Sequence, residues 1–167
     1  VDPCTTTAAN MGWSTIAAPA PVRVPAALQG PRTVDATPNV VPWGNCSSLN
    51  QRAGTGYLVV RRLQPAAIAG ATTVASTQYV QSSGCLDTAT PFVMATGPGA
   101  ANFTLTGPDC ATATPVRTYL SRLYYLSNCG VCSPDDGVPT LKVRELRGNA
   151  IVERIVASLP SLLGAVL

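Results

Sequence analysis

The six cysteines are the feature that most limits what this 167-residue chain can fold into. Their number is even, and the chain around them is rich in threonine and serine but contains a single lysine, Lys142. That composition is typical of proteins in an oxidising compartment, where cysteines form disulfides. The sequence therefore predicts a periplasmic or extracellular protein that is held together by a disulfide framework.

Six cysteines can pair in many ways, and the sequence leaves these alternatives open. Spacing favours a local loop, a mid-chain loop and a long N-terminal loop: Cys129–Cys132, Cys85–Cys110 and Cys4–Cys46. The N-terminal loop would tie down residues 1–50, which are rich in proline and poor in residues that build a core. Because proline forbids long helices and central strands, we predict an irregular, loop-rich region there.

The middle of the chain, residues 54–147, carries the patterns of β-strands. The longest run, residues 115–127, is apolar at both parities, which indicates a strand that is central or covered on both faces. In residues 139–146, apolar and polar residues alternate. The two runs therefore predict a long β-hairpin whose strands are joined by the loop that contains the C-x-x-C pair and the Asp-Asp-Gly sequence. We expect Lys142 and Arg144 on its outer face, where charge discourages edge-to-edge aggregation.

The C-terminal segment changes period. Between Ile151 and Val166, apolar residues recur at three- and four-residue steps, which predicts a helix kinked at Pro160. Its polar face is thin, which favours packing on the sheet or on another subunit over a membrane surface. The sequence thus predicts a single α+β, β-rich domain over residues 1–167, composed of an irregular region (1–50), an antiparallel sheet core (54–147) and a C-terminal helix (150–167).

The residue types available restrict the chemistry. The chain has no histidine, so it lacks the commonest general base and the commonest transition-metal ligand. Cys129 and Cys132 form a C-x-x-C pair, but turn-forming residues follow it where a thioredoxin-like dithiol needs a helix, and a zinc site needs four ligands. We interpret the pair as a disulfide-pinned turn, and we predict that the chain is not an enzyme. Its scattered arginines also argue against nucleic-acid binding.

Asp135 and Asp136, in the same loop, are the candidate ligand-binding residues. Calcium prefers six or more oxygen ligands, and this loop offers two carboxylates, neighbouring hydroxyls and carbonyls. The acid spacing of an EF-hand is missing, and turn chemistry alone also explains an Asp-Asp-Gly sequence. Calcium at Asp135 and Asp136 therefore stays an open hypothesis, and no other cofactor is expected.

The stretch RLYYLSNCGVCSPDDGVPTLKVREL, residues 122–146, resembles the PilW-like minor pilins of bacterial type IV pili. Members of that family typically carry a Tyr-Tyr strand, a loop, and a DG-I/V-PTL sequence that runs into R/K-x-x-L. Residues 55–63 are similar to the family's TD-x-L-x-V/L-R strand, with Tyr57 where an Asp often stands. Residues 151–156 are loosely similar to its LVEG-I/V segment.

The resemblance implies a pilin head, in which an antiparallel sheet packs against a hydrophobic N-terminal helix. This sequence does not contain that helix, so we interpret the chain as a processed or truncated product. A pilin head would be non-catalytic and would act in pilus assembly or at the fibre tip, with adhesion as a secondary role. Its partners would be other pilin or minor pilin subunits, and only the missing helix would contact the membrane. A second class of function stays open: a stand-alone secreted binding or adhesive module stabilised by calcium.

Overall fold

The computed structural model describes residues 2–7, 10–13, 24–31, 46, 50–86, 89–148 and 150–158. These residues form seven strands: β1 (Leu28–Gln29), β2 (Tyr57–Ile68), β3 (Gln78–Ser82), β4 (Phe92–Thr96), β5 (Val116–Ser127), β6 (Thr140–Arg147) and β7 (Ala150–Ser158). Their helical content is limited to two single 3-10 turns, Gly70–Thr72 and Ala100–Asn102. Within the same ranges, no helix is long and apolar enough to cross a membrane.

Strand β5 organises the sheet, in which every strand pair is antiparallel. One edge of β5 pairs with β2, and β1 extends the sheet beyond β2. The other edge divides: residues 116–118 pair with β3, whereas residues 122–127 pair with β6. The sheet therefore forks at residues 119–121 of β5, with β4 beyond one branch and β7 beyond the other. The apolar character of β5 at both parities agrees with this central place.

Alternate residues of β5 point to opposite faces of the sheet. We call the face that carries Tyr119, Leu123 and Tyr125 the inner face. All three side chains are buried, and the N-terminal segment covers them: Cys4 and Cys46 pack on the last two, together with residues of β2. Farther along, Tyr119 packs with the N-terminal Met11 and Trp13, with Val80 and with Leu146. The main core therefore lies between the sheet and the described N-terminal residues Cys4, Met11, Trp13 and Cys46.

Among the described residues, the opposite, outer face is covered at one end only. Near the start of β5, Val116 packs with Tyr79 and with Phe103 from the loop before β5. Toward the end of β5, the outer face carries Arg122, Tyr124 and Leu126, which are partly exposed. This half of the outer face is accessible in the part of the chain that the structure describes.

The predicted C-terminal helix is wrong over residues 150–158, which form strand β7 and pair with β6. These residues include Ile151, Val152, Ile155 and Val156, whose branched side chains suit a strand as well as an apolar helix stripe. The remaining residues of the predicted helix, 159–167, lie outside the described part of the chain. The β-rich antiparallel sheet of the prediction stands, whereas its α component has no support among the described residues.

The position of β7 also corrects the placement of Lys142 and Arg144. Because β7 pairs with β6, the hairpin formed by β5 and β6 has no free edge at these residues. Lys142 lies opposite Tyr125 on the inner face and is only 5% exposed. Its charge therefore lies on the covered inner face of the sheet, where it cannot discourage pairing at a free edge.

Candidate functional site

The structure contains three disulfides, Cys4–Cys46, Cys85–Cys110 and Cys129–Cys132, the same pairs that spacing favours. The Cys4–Cys46 disulfide is buried against Val59 and Leu123 and fastens the N-terminal segment to the inner face. Three disulfides suggest an oxidising, extracytoplasmic compartment.

Asp2 lies beside the first of these disulfides. Its Oδ1 atom accepts a hydrogen bond of 2.8 Å from the amide of Cys4 and lies 3.6 Å from the Sγ atom of Cys46. A carboxylate and two cysteine sulfurs are the types of ligand that bind metals, but a disulfide sulfur is not a thiolate and binds metal poorly. We therefore assign Asp2 a structural role at the N-terminal disulfide.

The loop between β5 and β6 holds the third disulfide in an asymmetric environment. Cys129 is 1% exposed, whereas Cys132 is partly exposed. The hydroxyl oxygen of Ser127 lies 3.6 Å from the Sγ atom of Cys129 and 3.8 Å from that of Cys132. The ammonium group of Lys142 lies 3.3 Å from the Sγ atom of Cys132. The contact of Lys142 with Cys132 was not predicted, because it depends on the register of β5 with β6 and on the course of the loop between them, which strand patterns do not specify.

Asp136 closes the same loop through its carboxylate. Oδ1 accepts hydrogen bonds from the amides of Gly130 (2.9 Å) and Val138 (3.0 Å), and Oδ2 accepts one from the amide of Val131 (2.7 Å). The amides of Val131, Val138 and Gly130 lower the pKa of Asp136. Both carboxylate oxygens therefore have partners within the turn.

Asp135 makes a local bond of the same kind. Its Oδ1 atom accepts a hydrogen bond of 2.8 Å from the amide of Gly137, which has a positive φ of 65° that suits glycine. The structure thus places Asp135 and Asp136 in a tight turn whose amides bind their carboxylates. Calcium binding at Asp135 and Asp136 stays a prediction from the sequence.

A cluster of charged groups surrounds Glu153 on the inner face of β6 and β7. Its carboxylate lies 3.2 Å from the Nζ atom of Lys142 and 2.9 Å from the Nε atom of Arg144, and it accepts a hydrogen bond of 2.5 Å from the hydroxyl of Tyr125. Burial raises the pKa of Tyr125, and the bond to Glu153 raises it further. Burial would raise the pKa of Glu153 as well, but the hydrogen bonds from Tyr125, Arg144 and Lys142 outweigh it and lower that pKa.

A second cluster surrounds Glu145 on the outer face. Its side chain is 5% exposed and pairs with three arginines: Arg122 at 3.4 Å, Arg147 at 3.3 Å, and Arg154. Burial would raise the pKa of Glu145, but the hydrogen bond from Arg154 and the charges of Arg122 and Arg147 outweigh it and lower the pKa.

A small polar cavity of about 280 Å³ lies where the sheet forks. Its lining includes Gln64, Thr77, Gln78, Thr118 and Arg147. The amide group of Gln78 is already bonded to the carbonyl of Thr6 (3.3 Å) and to the hydroxyl of Thr96 (3.1 Å). The cavity therefore lies in the gap between the diverging strands β3 and β6. The side-chain amide of Gln78 in its lining is already hydrogen-bonded to other parts of the fold.

An apolar strip runs across the accessible half of the outer face. It consists of Leu58 on β2, Tyr124 and Leu126 on β5, and Leu141 on β6; Leu58 lies opposite Tyr124, and Leu126 opposite Leu141. These residues line an open, almost entirely apolar depression of about 480 Å³, and Leu58 is 44% exposed. Contiguous apolar surface of this kind commonly marks a site of interaction with another protein segment.

The fold and these sites describe a disulfide-bonded antiparallel sheet with a pinned loop at one hairpin and an apolar strip on one face. No protein-family model matches the chain, and comparisons with curated proteins and with solved structures found no match either. A function for this chain must therefore be argued from its own residues and their arrangement.

Proposed function

We propose that this chain is the head domain of a non-catalytic filament subunit, a minor pilin of a type IV pilus or a related filament. The proposal begins from the resemblance of residues 122–146 to PilW-like minor pilins. In the structure this stretch spans the second half of β5, the disulfide loop and all but the last residue of β6. The stretch thus corresponds to one continuous unit, a central hairpin with a covalently closed turn.

The observation that carries the proposal is the apolar strip on the outer face. A sheet that exposes Leu58, Tyr124, Leu126 and Leu141 on one face is stabilised when another apolar element covers them. A hydrophobic helix, of the kind by which pilin heads are held in a filament, would provide such a cover. The inner face is already covered by the N-terminal residues that pack on it and by the Cys4–Cys46 disulfide, so a helix is not required there.

The pinned loop supports a role in subunit contacts. Disulfide Cys129–Cys132 and the carboxylate of Asp136 hold the loop in one conformation. A preorganised loop loses little conformational entropy on binding, which favours contact with a neighbouring subunit. We therefore propose other pilin or minor pilin subunits as partners, with the loop near the assembly or tip surface and the protein located on the pilus fibre.

The test is a charge substitution in the apolar strip. Leu58→Glu would place a carboxylate where the helix is proposed to pack, and we expect it to prevent incorporation of the full-length subunit into filaments. Because Leu58 is partly exposed, the thermal midpoint of the isolated domain should change by only a few degrees. Leu86→Glu is the matched control: Leu86 is 98% exposed and lies outside the strip, so this variant should assemble normally.

Normal filament incorporation of the Leu58→Glu subunit would contradict the proposal. So would a free secreted protein that is never recovered with filaments, which would favour the stand-alone adhesive module. For that module, calcium should raise the thermal midpoint of the wild-type domain, and Asp136→Ala should abolish the rise.

A further inference from the structure

Among the described residues, the Cys129–Cys132 disulfide differs from the other two in having a partly exposed cysteine whose sulfur lies beside a buried cation. Cys132 is partly exposed while Cys129 is buried, so an incoming group can reach Cys132 first. The Nζ atom of Lys142 lies 3.3 Å from the Sγ atom of Cys132. A neighbouring lysine stabilises a cysteine thiolate, which is both the nucleophile and the leaving group in disulfide exchange.

We propose that Cys129–Cys132 is a site of reversible thiol–disulfide exchange with low-molecular-weight thiols, in which Lys142 stabilises the thiolate of Cys132. The side chain of Lys142 is 6% exposed, so water screens its charge weakly at the sulfur. Glu153, at 3.2 Å, shares this ammonium and reduces the effect without removing it, because Arg144 also neutralises Glu153.

The exchange proceeds in two balanced steps. The thiolate of a small thiol attacks the Sγ atom of Cys132, the disulfide bond breaks, and its electron pair passes to the Sγ atom of Cys129, beside the hydroxyl of Ser127 at 3.6 Å. A second thiolate then attacks the small-thiol sulfur of the mixed disulfide and expels the thiolate of Cys132 beside Lys142. Two thiols are oxidised to one small disulfide, and the protein disulfide is reduced to two cysteines.

Hydrogen bonds of the loop make the exchange reversible. The carboxylate of Asp136 accepts bonds from the amides of Gly130 and Val131, the two residues between the cysteines. The amide of Asp136 in turn donates to the carbonyl of Val131 at 3.0 Å. Because these bonds do not involve sulfur, they remain after reduction and keep the two thiols close enough to form the disulfide again.

The chain contains its own comparison disulfides. Cys4 and Cys46 are 6% and 1% exposed, so small thiols cannot readily reach that pair in the folded protein. Cys110 is exposed, but within the described ranges no hydrogen bond is made to a sulfur atom of the Cys85–Cys110 disulfide. Accessibility alone would therefore make Cys85–Cys110 the most reducible pair, whereas our proposal selects Cys129–Cys132.

The experiment equilibrates the folded, oxidised domain with mixtures of reduced and oxidised glutathione, traps free thiols by alkylation and assigns them by peptide mass spectrometry. We expect Cys129–Cys132 to become reduced in mixtures that leave Cys85–Cys110 oxidised. Lys142→Met should require a mixture about tenfold more reducing for half-reduction of Cys129–Cys132. Lys142→Arg keeps the positive charge and should recover most of the difference, and Cys85–Cys110 should respond equally in all three proteins.

The proposal is overturned if wild-type Cys129–Cys132 is no easier to reduce than Cys85–Cys110. It is also overturned if Lys142→Met keeps its thermal midpoint and titrates as the wild type does. Should Lys142→Met fail to fold, the wild-type comparison of the two disulfides still decides, and Lys142→Arg must then retain the wild-type order.

Discussion

The two ion clusters of the β6–β7 hairpin use similar groups in opposite ways. On the outer face the carboxylate is buried and its partners are exposed: Glu145 is 5% exposed, while Arg122, Arg147 and Arg154 are 30%, 53% and 46% exposed. On the inner face the carboxylate is the more accessible member: Glu153 is 33% exposed, while Lys142 and Arg144 are 6% and 14% exposed.

This difference determines which glutamate, when its charge is removed, leaves a buried positive charge without its carboxylate partner. If Glu145 loses its charge, the three arginines can turn toward water, because each already reaches the surface. If Glu153 loses its charge, the buried ammonium of Lys142 loses the carboxylate that it pairs with, and desolvated charge is costly. The acid that looks more exposed is therefore expected to matter more.

Acidification should have the largest effect, because it discharges both clusters together. The pKa values of Glu145 and Glu153 are lowered in the folded protein, so their stabilisation is present above the unfolded pKa of about 4.3 and is lost as pH falls through the folded values. The chain has no histidine, so we expect a constant midpoint of urea unfolding between about pH 6 and 8 and a steep fall below about pH 4. A midpoint unchanged on acidification would contradict the role of these clusters.

Glu153→Gln should have the next largest effect. The substitution removes the charge that pairs with Lys142 and Arg144, leaves the buried Lys142 without this carboxylate and weakens the bond from the hydroxyl of Tyr125, so we expect a loss of about 2 to 3 kcal/mol in the free energy of unfolding. Urea denaturation at neutral pH measures it. The double variant Glu153→Gln with Lys142→Met removes one stranded charge as well, and it should recover part of the loss. A loss below that of Glu145→Gln would reverse the comparison.

Glu145→Gln should cost less, about 1 kcal/mol, because its arginine partners can be hydrated in the variant. The loss should shrink further in high salt, which screens the attraction of Glu145 for its arginines in the wild type and the uncompensated repulsion among Arg122, Arg147 and Arg154 in the variant. Measuring the free energy of unfolding at low and at high salt distinguishes this electrostatic loss from a packing defect. A packing defect would lower the free energy of unfolding by the same amount at both salt concentrations.

Arg147→Gln should have the smallest effect, at most about 0.5 kcal/mol. Arg147 is the most exposed member of its cluster, at 53%, and Glu145 keeps two other arginines. Arg144→Gln is the informative counterpart on the inner face, where Lys142 and Tyr125 would keep Glu153 satisfied. Equal small losses for both arginine variants, beside unequal losses for the two glutamates, would show that the carboxylates organise the clusters.

Local pattern predicted the central hairpin well but not the last strand. The apolar run of residues 115–127 and the alternation of residues 139–146 match β5 and β6 closely. Residues 150–158 satisfied both a helical stripe and a β-branched strand, and their spacing could not separate the two. Residues 150–158 form a strand because the free edge of β6 is available to pair with them. The pattern of these nine residues carries no information about that edge.

The sequence by itself determined a β-rich, disulfide-bonded domain, because cysteine spacing, proline content and strand alternation are local properties of the chain. Tertiary structure decided the rest. It placed Lys142 beside Cys132 and Glu153, put Glu145 among three arginines, and left Leu58 and Leu126 together on a part of the outer face that is open in the described part of the chain. Each of these depends on strand register and on which face is covered, and long-range pairing across the sheet sets both.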